Sequence, residues 1–223
     1  MRADEFTTKT GIQEYDAGSE SSKQITAKLK QLGYKLLGSG HDATVWTKDA
    51  GSVIKILMPS IDNESSDNAF LIFYNFCQKH KSPFLPRFVD IGGVHHSAFE
   101  LNGKQYRQIS MEKLAPLPSG SLMEKMVWAL SDLSAVPFIK WSNVKQQLSS
   151  PNFWEHFPNP GNHSEEVAQA LADPQLEKQY SSLFVIMQQL YQTAKQHGLG
   201  WDLHTENVMA RGNTPVITDP YLS

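Results

Sequence analysis

Two aspartates and an asparagine near the carboxyl end are of types that could do chemistry together. Asp202 and Asn207 stand in Gly198-Leu199-Gly200-Trp201-Asp202-Leu203-His204-Thr205-Glu206-Asn207, and Asp219 follows in Val216-Ile217-Thr218-Asp219-Pro220. Asp-x-x-x-x-Asn, then a second Asp after a strand, a turn and a strand, is the spacing that phosphoryl transfer to a hydroxyl needs. One carboxylate accepts the hydroxyl proton, while the amide and the second carboxylate hold Mg²⁺ against the phosphates of ATP. Residues 206–210 and 215–218 are β-prone, with Arg211-Gly212-Asn213-Thr214 as the turn between them. Aspartate and asparagine are also common turn residues, so the reading depends on the other half of a nucleotide site upstream.

That half is expected between residues 34 and 58, which read as strand, glycine turn, strand, turn, strand. In Leu37-Gly38-Ser39-Gly40-His41-Asp42-Ala43-Thr44-Val45-Trp46 two glycines let the backbone approach a triphosphate, with a small residue, Ala43, further on. A lone Gly-x-Gly more often marks an ordinary hairpin. Lys55, centred in the apolar run Ser52-Val53-Ile54-Lys55-Ile56-Leu57, strengthens the case. A buried ammonium is costly unless an anion answers it; the alternative is an edge-strand lysine reaching solvent.

Taken in order, Gly38-x-Gly40-x-x-Ala43-x-Val45, Val53-Ile54-Lys55, Asp202-x-x-x-x-Asn207 and Thr218-Asp219-Pro220 resemble the protein-kinase-like superfamily. More narrowly, the glycine turn, Trp201-Asp202-Leu203-His204 and Ile217-Thr218-Asp219-Pro220 resemble the small serine/threonine kinases of tailed bacteriophages, over roughly residues 31–220. The resemblance implies an α+β bilobal fold. A five-stranded antiparallel sheet plus a helix would form the N-lobe (31–114), after an arm (1–30), and a truncated, mainly helical C-lobe would span 115–223. It implies ATP and Mg²⁺ as cofactors. Asp202, Lys55 and His204 would be catalytic, and Asn207 and Asp219 would hold the metal. Gly38, Ser39, Gly40, His41, Val45 and Lys55 would grip the nucleotide, and backbone groups near Glu112 and Leu114 would meet the adenine edge. Glu64 or Asp67 would pair with Lys55.

The sequence departs from the family at several positions. Gly200-Trp201 replaces the usual His-Arg before the aspartate, so no arginine is present there to read a phosphorylated loop. His204 stands where serine/threonine kinases carry lysine, and histidine there is also typical of small-molecule phosphotransferases. Pro220 replaces phenylalanine after the metal-binding Asp219, and the given sequence runs four residues beyond it. The expectation is a constitutively assembled minimal kinase acting on bacterial host proteins or itself. The alternatives are a phosphotransferase for small hydroxylated molecules and a nucleotide-binding pseudokinase.

The elements that must position these residues follow from periodicity. A short helix is expected from Ser22 through Lys30, and another over residues 60–80 with Ala69, Phe70, Phe73, Phe76 and Cys77 as its apolar stripe. Residues 88–94 read as a strand, and Asn102-Gly103 as the turn of a hairpin. Ser121-Leu122-Met123-Glu124 is a capping box opening a helix. Residues 137–163 are rich in aromatics and proline, for which packing is the favoured reading. Asn162 caps a short helix ending before Asp173-Pro174, and residues 180–197 form the clearest helix, stopped by Gly198. A net charge of -3 makes no case for nucleic acid or an anionic membrane, and the lone Cys77 excludes an internal disulfide and fits a reducing cytoplasm, of the bacterial host if phage-encoded. His95, His96, His156 and His163 show no convergent zinc-ligand spacing.

Overall fold

The computed structural model describes residues 20–39, 43–57, 69–90, 95–157 and 162–222. The chain divides into two units. Met1–Asn68 and Pro86–Leu114 make the first, Ala69–Leu85 and Ala115–Ser223 the second, so residues 69–85 group with the second unit. The expected arm at 1–19 lies outside the described residues.

The first unit is a five-stranded antiparallel sheet with one helix. Its strands β1 (Lys35–Ser39), β2 (Ala43–Thr47), β3 (Ser52–Leu57), β4 (His96–Leu101) and β5 (Lys104–Glu112) lie in the order β1-β2-β3-β5-β4. Alternation sorts the side chains. Trp46, Ile54, Ile56 and Tyr106 join Ile25 and Leu29 of α1 (Glu20–Gln31) in one buried cluster. Helix α1 therefore covers one face, and residues one step out of phase take the other. The helix includes Glu20 and Ser21, so Ser22 lies within its first turn rather than capping it. Asn102 (φ 53°) and Gly103 (φ 74°) make the expected hairpin turn, and the Asn102 amide donates to Ser21 Oγ at 2.9 Å. Between β2 and β3, Asp49 Oδ1 accepts the Gly51 and Ser52 N–H groups at 2.8 and 2.7 Å. Those backbone bonds hold its carboxyl below the ordinary value. The strand expected at 88–94 reduces, among the described residues, to a single bridge from Phe88 to Met111.

The second unit is mainly helical. Helix α2 (Ala69–Lys79) is the apolar stripe read above, buried at every position from Ala69 to Tyr74. Helix α3 (Leu122–Ser134) opens on Ser121, whose Oγ accepts the Glu124 N–H at 3.2 Å, while Glu124 Oε2 reaches back to the Gly120 N–H at 2.6 Å. After α4 (Trp141–Leu148) and α5 (His163–Leu171), α6 (Pro174–His197) forms the spine, with Leu183, Met187 and Leu190 wholly buried. It begins six residues before the expected start, because Asp173 and Pro174 are its N-cap and first residue. Asn162 precedes α5 without a side-chain cap bond. Within residues 137–163, Trp154 is buried and donates to Leu148 O at 2.8 Å, whereas Phe138 is 97% exposed.

Short strands complete this unit. β6 (Ala115–Pro116) pairs with β8 (Val208–Arg211), which forms a hairpin with β9 (Thr214–Ile217); β7 (Gly200–Trp201) pairs with β10 (Tyr221–Leu222). Gly198 takes φ 68° as the C-cap of α6, which ends the helix two residues before β7. Helix α2 meets β10 through Phe73 and Tyr221, whose rings lie 6.2 Å apart.

Candidate functional site

In the second unit, the loop between β7 and β8 carries Asp202, His204 and Asn207. The Asn207 Nδ2 group has two hydrogens, and Asp202 takes both, through its carbonyl at 2.7 Å and Oδ2 at 3.0 Å. His204 Nδ1 accepts the Glu206 N–H at 3.2 Å and so caps the single 3-10 turn at Thr205–Asn207. His204 Nε2 lies 3.1 Å from the already committed Asn207 Nδ2 and 3.7 Å from Asp202 Oδ1. With Nδ1 accepting, we assign the imidazole proton to Nε2, on the side of the Asp202 carboxylate. Asp202 and His204 side chains are 31% and 46% exposed, so their pairing orients groups and adds little to stability.

Asp219 is held from both sides by its neighbours' backbones. Thr218 donates twice to the Asn207 carbonyl, from its N–H at 2.9 Å and from Oγ1 at 3.0 Å. Pro220 O accepts the Asp202 N–H at 3.0 Å. The segment carrying Asp219 is thus tied to Asn207 on one side and to Asp202 on the other. Beyond it, Tyr221 is buried against α2 and α6 and its hydroxyl donates to Leu190 O at 3.1 Å. Burial pushes that phenol well above its ordinary value, so it stays a donor. Trp201, preceding Asp202, has its ring against Tyr191 and Tyr221.

In the first unit, Gly38, Val45, Lys55 and Ile109 form one cross-strand row: Gly38 faces Val45, Val45 faces Lys55, and Lys55 faces Ile109. Val45 and Lys55 therefore share the face opposite α1. A register shift between Leu36 and Gly38 bulges β1 at Leu37, directly before the glycine, and Ser39 ends that strand opposite Thr44. Lys55 is 8% exposed on β3, an inner strand, which removes the edge-strand alternative. The Glu112 N–H donates to Arg87 O at 2.8 Å and the Lys113 N–H to Gly51 O at 2.9 Å. Glu112 thus has no N–H to offer an adenine edge, and only its carbonyl fits that expectation. Among the described residues no hydrogen bond ends on the Leu114 N–H. Gly40, His41, Glu64 and Asp67 lie outside the described residues.

The structure thus joins Asp202, His204, Asn207 and the segment of Asp219 in the second unit, and Gly38, Val45 and Lys55 in the first. Sequence reasoning missed Thr218 and Glu206 as holders of this loop. A threonine directly before the expected metal-binding aspartate was the only available signal. Among the described residues no group of three or more His, Cys, Asp or Glu is placed to hold a metal, and no helix is long and apolar enough to cross a membrane.

No family model matches the chain, and no curated protein does. Among the solved structures that are similar in part are two phosphotransferase complexes. One is a ternary complex of streptomycin, ATP and APH(2'')-IIa, with TM-score 0.34 and 14% identity over 90% of this chain and 70% of that one. The other is the ADP-bound aminoglycoside phosphotransferase APH(2'')-Ib, with TM-score 0.34 and 16% identity over 89% and 69%.

Proposed function

We propose that this chain is a kinase-like, ATP-dependent phosphotransferase whose acceptor is a small hydroxylated molecule. The observation that carries the reading is the knot in the second unit: Asp202 holds both hydrogens of the Asn207 amide while Thr218 and Pro220 fasten the segment of Asp219 to the same loop. With Nδ2 engaged by Asp202, Asn207 presents its amide oxygen elsewhere. An amide oxygen and the Asp219 carboxylate are the hard ligands that Mg²⁺ takes alongside substrate phosphates, so two such residues suffice and no three-residue cluster is required. Mg²⁺ held there would neutralise phosphate charge.

The chain's own groups then divide the work. Asp202, with one oxygen on Asn207, accepts the proton of the attacking hydroxyl through its carboxylate, a role that geometry and charge both permit. His204 steadies that carboxylate from the Oδ1 side. In the first unit, Lys55 serves the nucleotide phosphates from the same sheet face as Val45, with Gly38 beside it. The imidazole at 204 and the aromatic Trp201, held by two tyrosines, favour a small acceptor over a protein docked by a phosphorylated loop.

The test is incubation with γ-labelled ATP and Mg²⁺, against a panel of aminoglycosides and other polyols and, separately, a bacterial lysate. Label transferred to a small molecule and lost in Asp202→Asn is the expected result. Labelled protein bands lost in the same variant would assign a protein acceptor. ATP binding without transfer would mark a pseudokinase, and a folded sample that binds no Mg-ATP would refute the reading.

A further inference from the structure

The second unit carries a groove remote in sequence from the loop described above. It has a volume of about 620 Å³ and lies between the first half of α6 and the connector following α2, with Thr214, the first residue of β9, also on its wall. Lys81 from the connector and Lys178 from α6 both line it, and no Asp or Glu does. This is a local reversal in a chain of net charge -3. The nearest acid on α6, Glu177, is occupied by Lys145 and Trp141.

The walls are fastened to one another. The Arg211 guanidinium donates to Pro83 O at 2.8 Å and Leu85 O at 3.1 Å, and Ile217 N–H donates to Phe84 O at 2.9 Å, fixing the connector on the hairpin. Gln179 Nε2 donates to Asn213 O at 3.0 Å, fixing α6 to the same hairpin. The groove is thus pre-organised, and little ordering of its walls opposes binding. Along α6 its lining runs from Gln175 to Ile186, about 16 Å at ~1.5 Å per residue, the reach of roughly five residues of extended chain. Over that length lie the Gln175 and Gln179 amides, the Lys178 ammonium and, towards the far end, the half-exposed apolar Val185.

We propose that this groove docks a short, extended, acidic segment of a partner protein. Carboxylates of the segment meet Lys81 and Lys178, its backbone meets the Gln175 amide, and an apolar side chain packs on Val185. A compact anion would use only the two ammonium groups and leave the amide and apolar wall without a role. The inference stands apart from the phosphotransferase reading, since none of these residues belongs to the β7–β8 loop.

The experiment is fluorescence anisotropy with a fluorescein-labelled octapeptide of alternating glutamate and leucine, and its lysine–leucine counterpart, at two salt concentrations. The acidic peptide is expected to bind, more weakly at high salt, and the basic one not. Lys81→Glu with Lys178→Glu should weaken binding by about tenfold, the sum of two reversed surface pairs, and the uncharged Val185→Asn should weaken it in a salt-independent way. Lys81→Ala with Lys178→Ala provides a milder pair, and circular dichroism melting confirms each variant is folded. No binding of the acidic peptide at millimolar protein, equal binding of both peptides, or indifference to charge reversal would overturn the proposal. So would full displacement of the peptide by equimolar inorganic phosphate, which would mark an anion site.

Discussion

Replacing Thr218 with valine separates the two ties that fix the Asp219 segment to Asn207. Valine keeps the β-branched shape at the end of β9 and the backbone N–H, and deletes only the Oγ1 donor standing 3.0 Å from the Asn207 carbonyl. The carbonyl keeps the Thr218 N–H at 2.9 Å, so nothing is orphaned, and the loss should fall in the lower part of the range for one hydrogen bond, about 0.5–1 kcal/mol. For a chain of this size that is a fall in Tm of about 1–4 °C. If the same amount is lost from the transition state alone, kcat falls by at most about fivefold, with KM for the acceptor unchanged. Thr218→Ser, which keeps the donor, should restore both. Differential scanning calorimetry and steady-state kinetics on the three proteins decide it. A valine variant that melts and turns over like the parent, or a serine variant as impaired as valine, would show that Oγ1 does not hold this loop.

Asp202→Asn keeps an oxygen for the Asn207 amide but removes the proton acceptor, so transfer should fall by about 10²–10⁴ while the melting curve barely moves. Burial raises the Cys77 thiol well above its ordinary value, so the folded protein should resist a thiol reagent at neutral pH and react fully in guanidinium; rapid labelling of the native state would contradict the packing of α2. Tyr221→Phe should cost about 0.5–1.5 kcal/mol in urea unfolding, since the hydroxyl's bonds to Leu190 O and the Thr193 side chain are lost while the ring remains. Gly198→Ala should cost about 1 kcal/mol or more through the left-handed backbone alone, because a Cβ there meets nothing within 4 Å.

Periodicity and turn chemistry made much of the architecture legible. Asn102-Gly103 announced its hairpin because both residues accept positive φ, and the structure gives them 53° and 74°. The stripe on α2 and the glycine ending α6 were readable for similarly local reasons. The start of α6 lies earlier than its apolar periodicity places it, because Asp173-Pro174, which reads as the boundary after the preceding helix, opens the next one with aspartate at the N-cap and proline in the first turn. Helix α4 was hidden in a stretch of aromatics and prolines, although Trp141, Val144 and Leu148 have helical spacing and the last two are wholly buried. That same stretch shows the limit of a packing argument. Trp154 sits in the core as expected, while Phe138 stands exposed at φ 57°, a backbone that bulky side chains rarely adopt.

The candidate site divides along a physical line. Side chains that would do chemistry are legible because acids, amides and a strand lysine are rare in such settings and their spacing is constrained. What holds them is mostly backbone, and backbone donors are the same at every position but proline. The Asp202 N–H on Pro220 O, the Glu206 N–H on His204 and the Thr218 N–H on the Asn207 carbonyl have no compositional trace; of the ties, only the Thr218 hydroxyl has one. The substitution of proline for phenylalanine after Asp219 gains meaning only with those bonds in view. Pro220 contributes its carbonyl to Asp202, and Tyr221 anchors the next residue to α6. A proline lacks an N–H and needs none here, because its φ is fixed and its oxygen does the tying. The turn bearing Asp219 is therefore fastened on three sides within one unit, as the metal-holding role proposed for Asp219 requires.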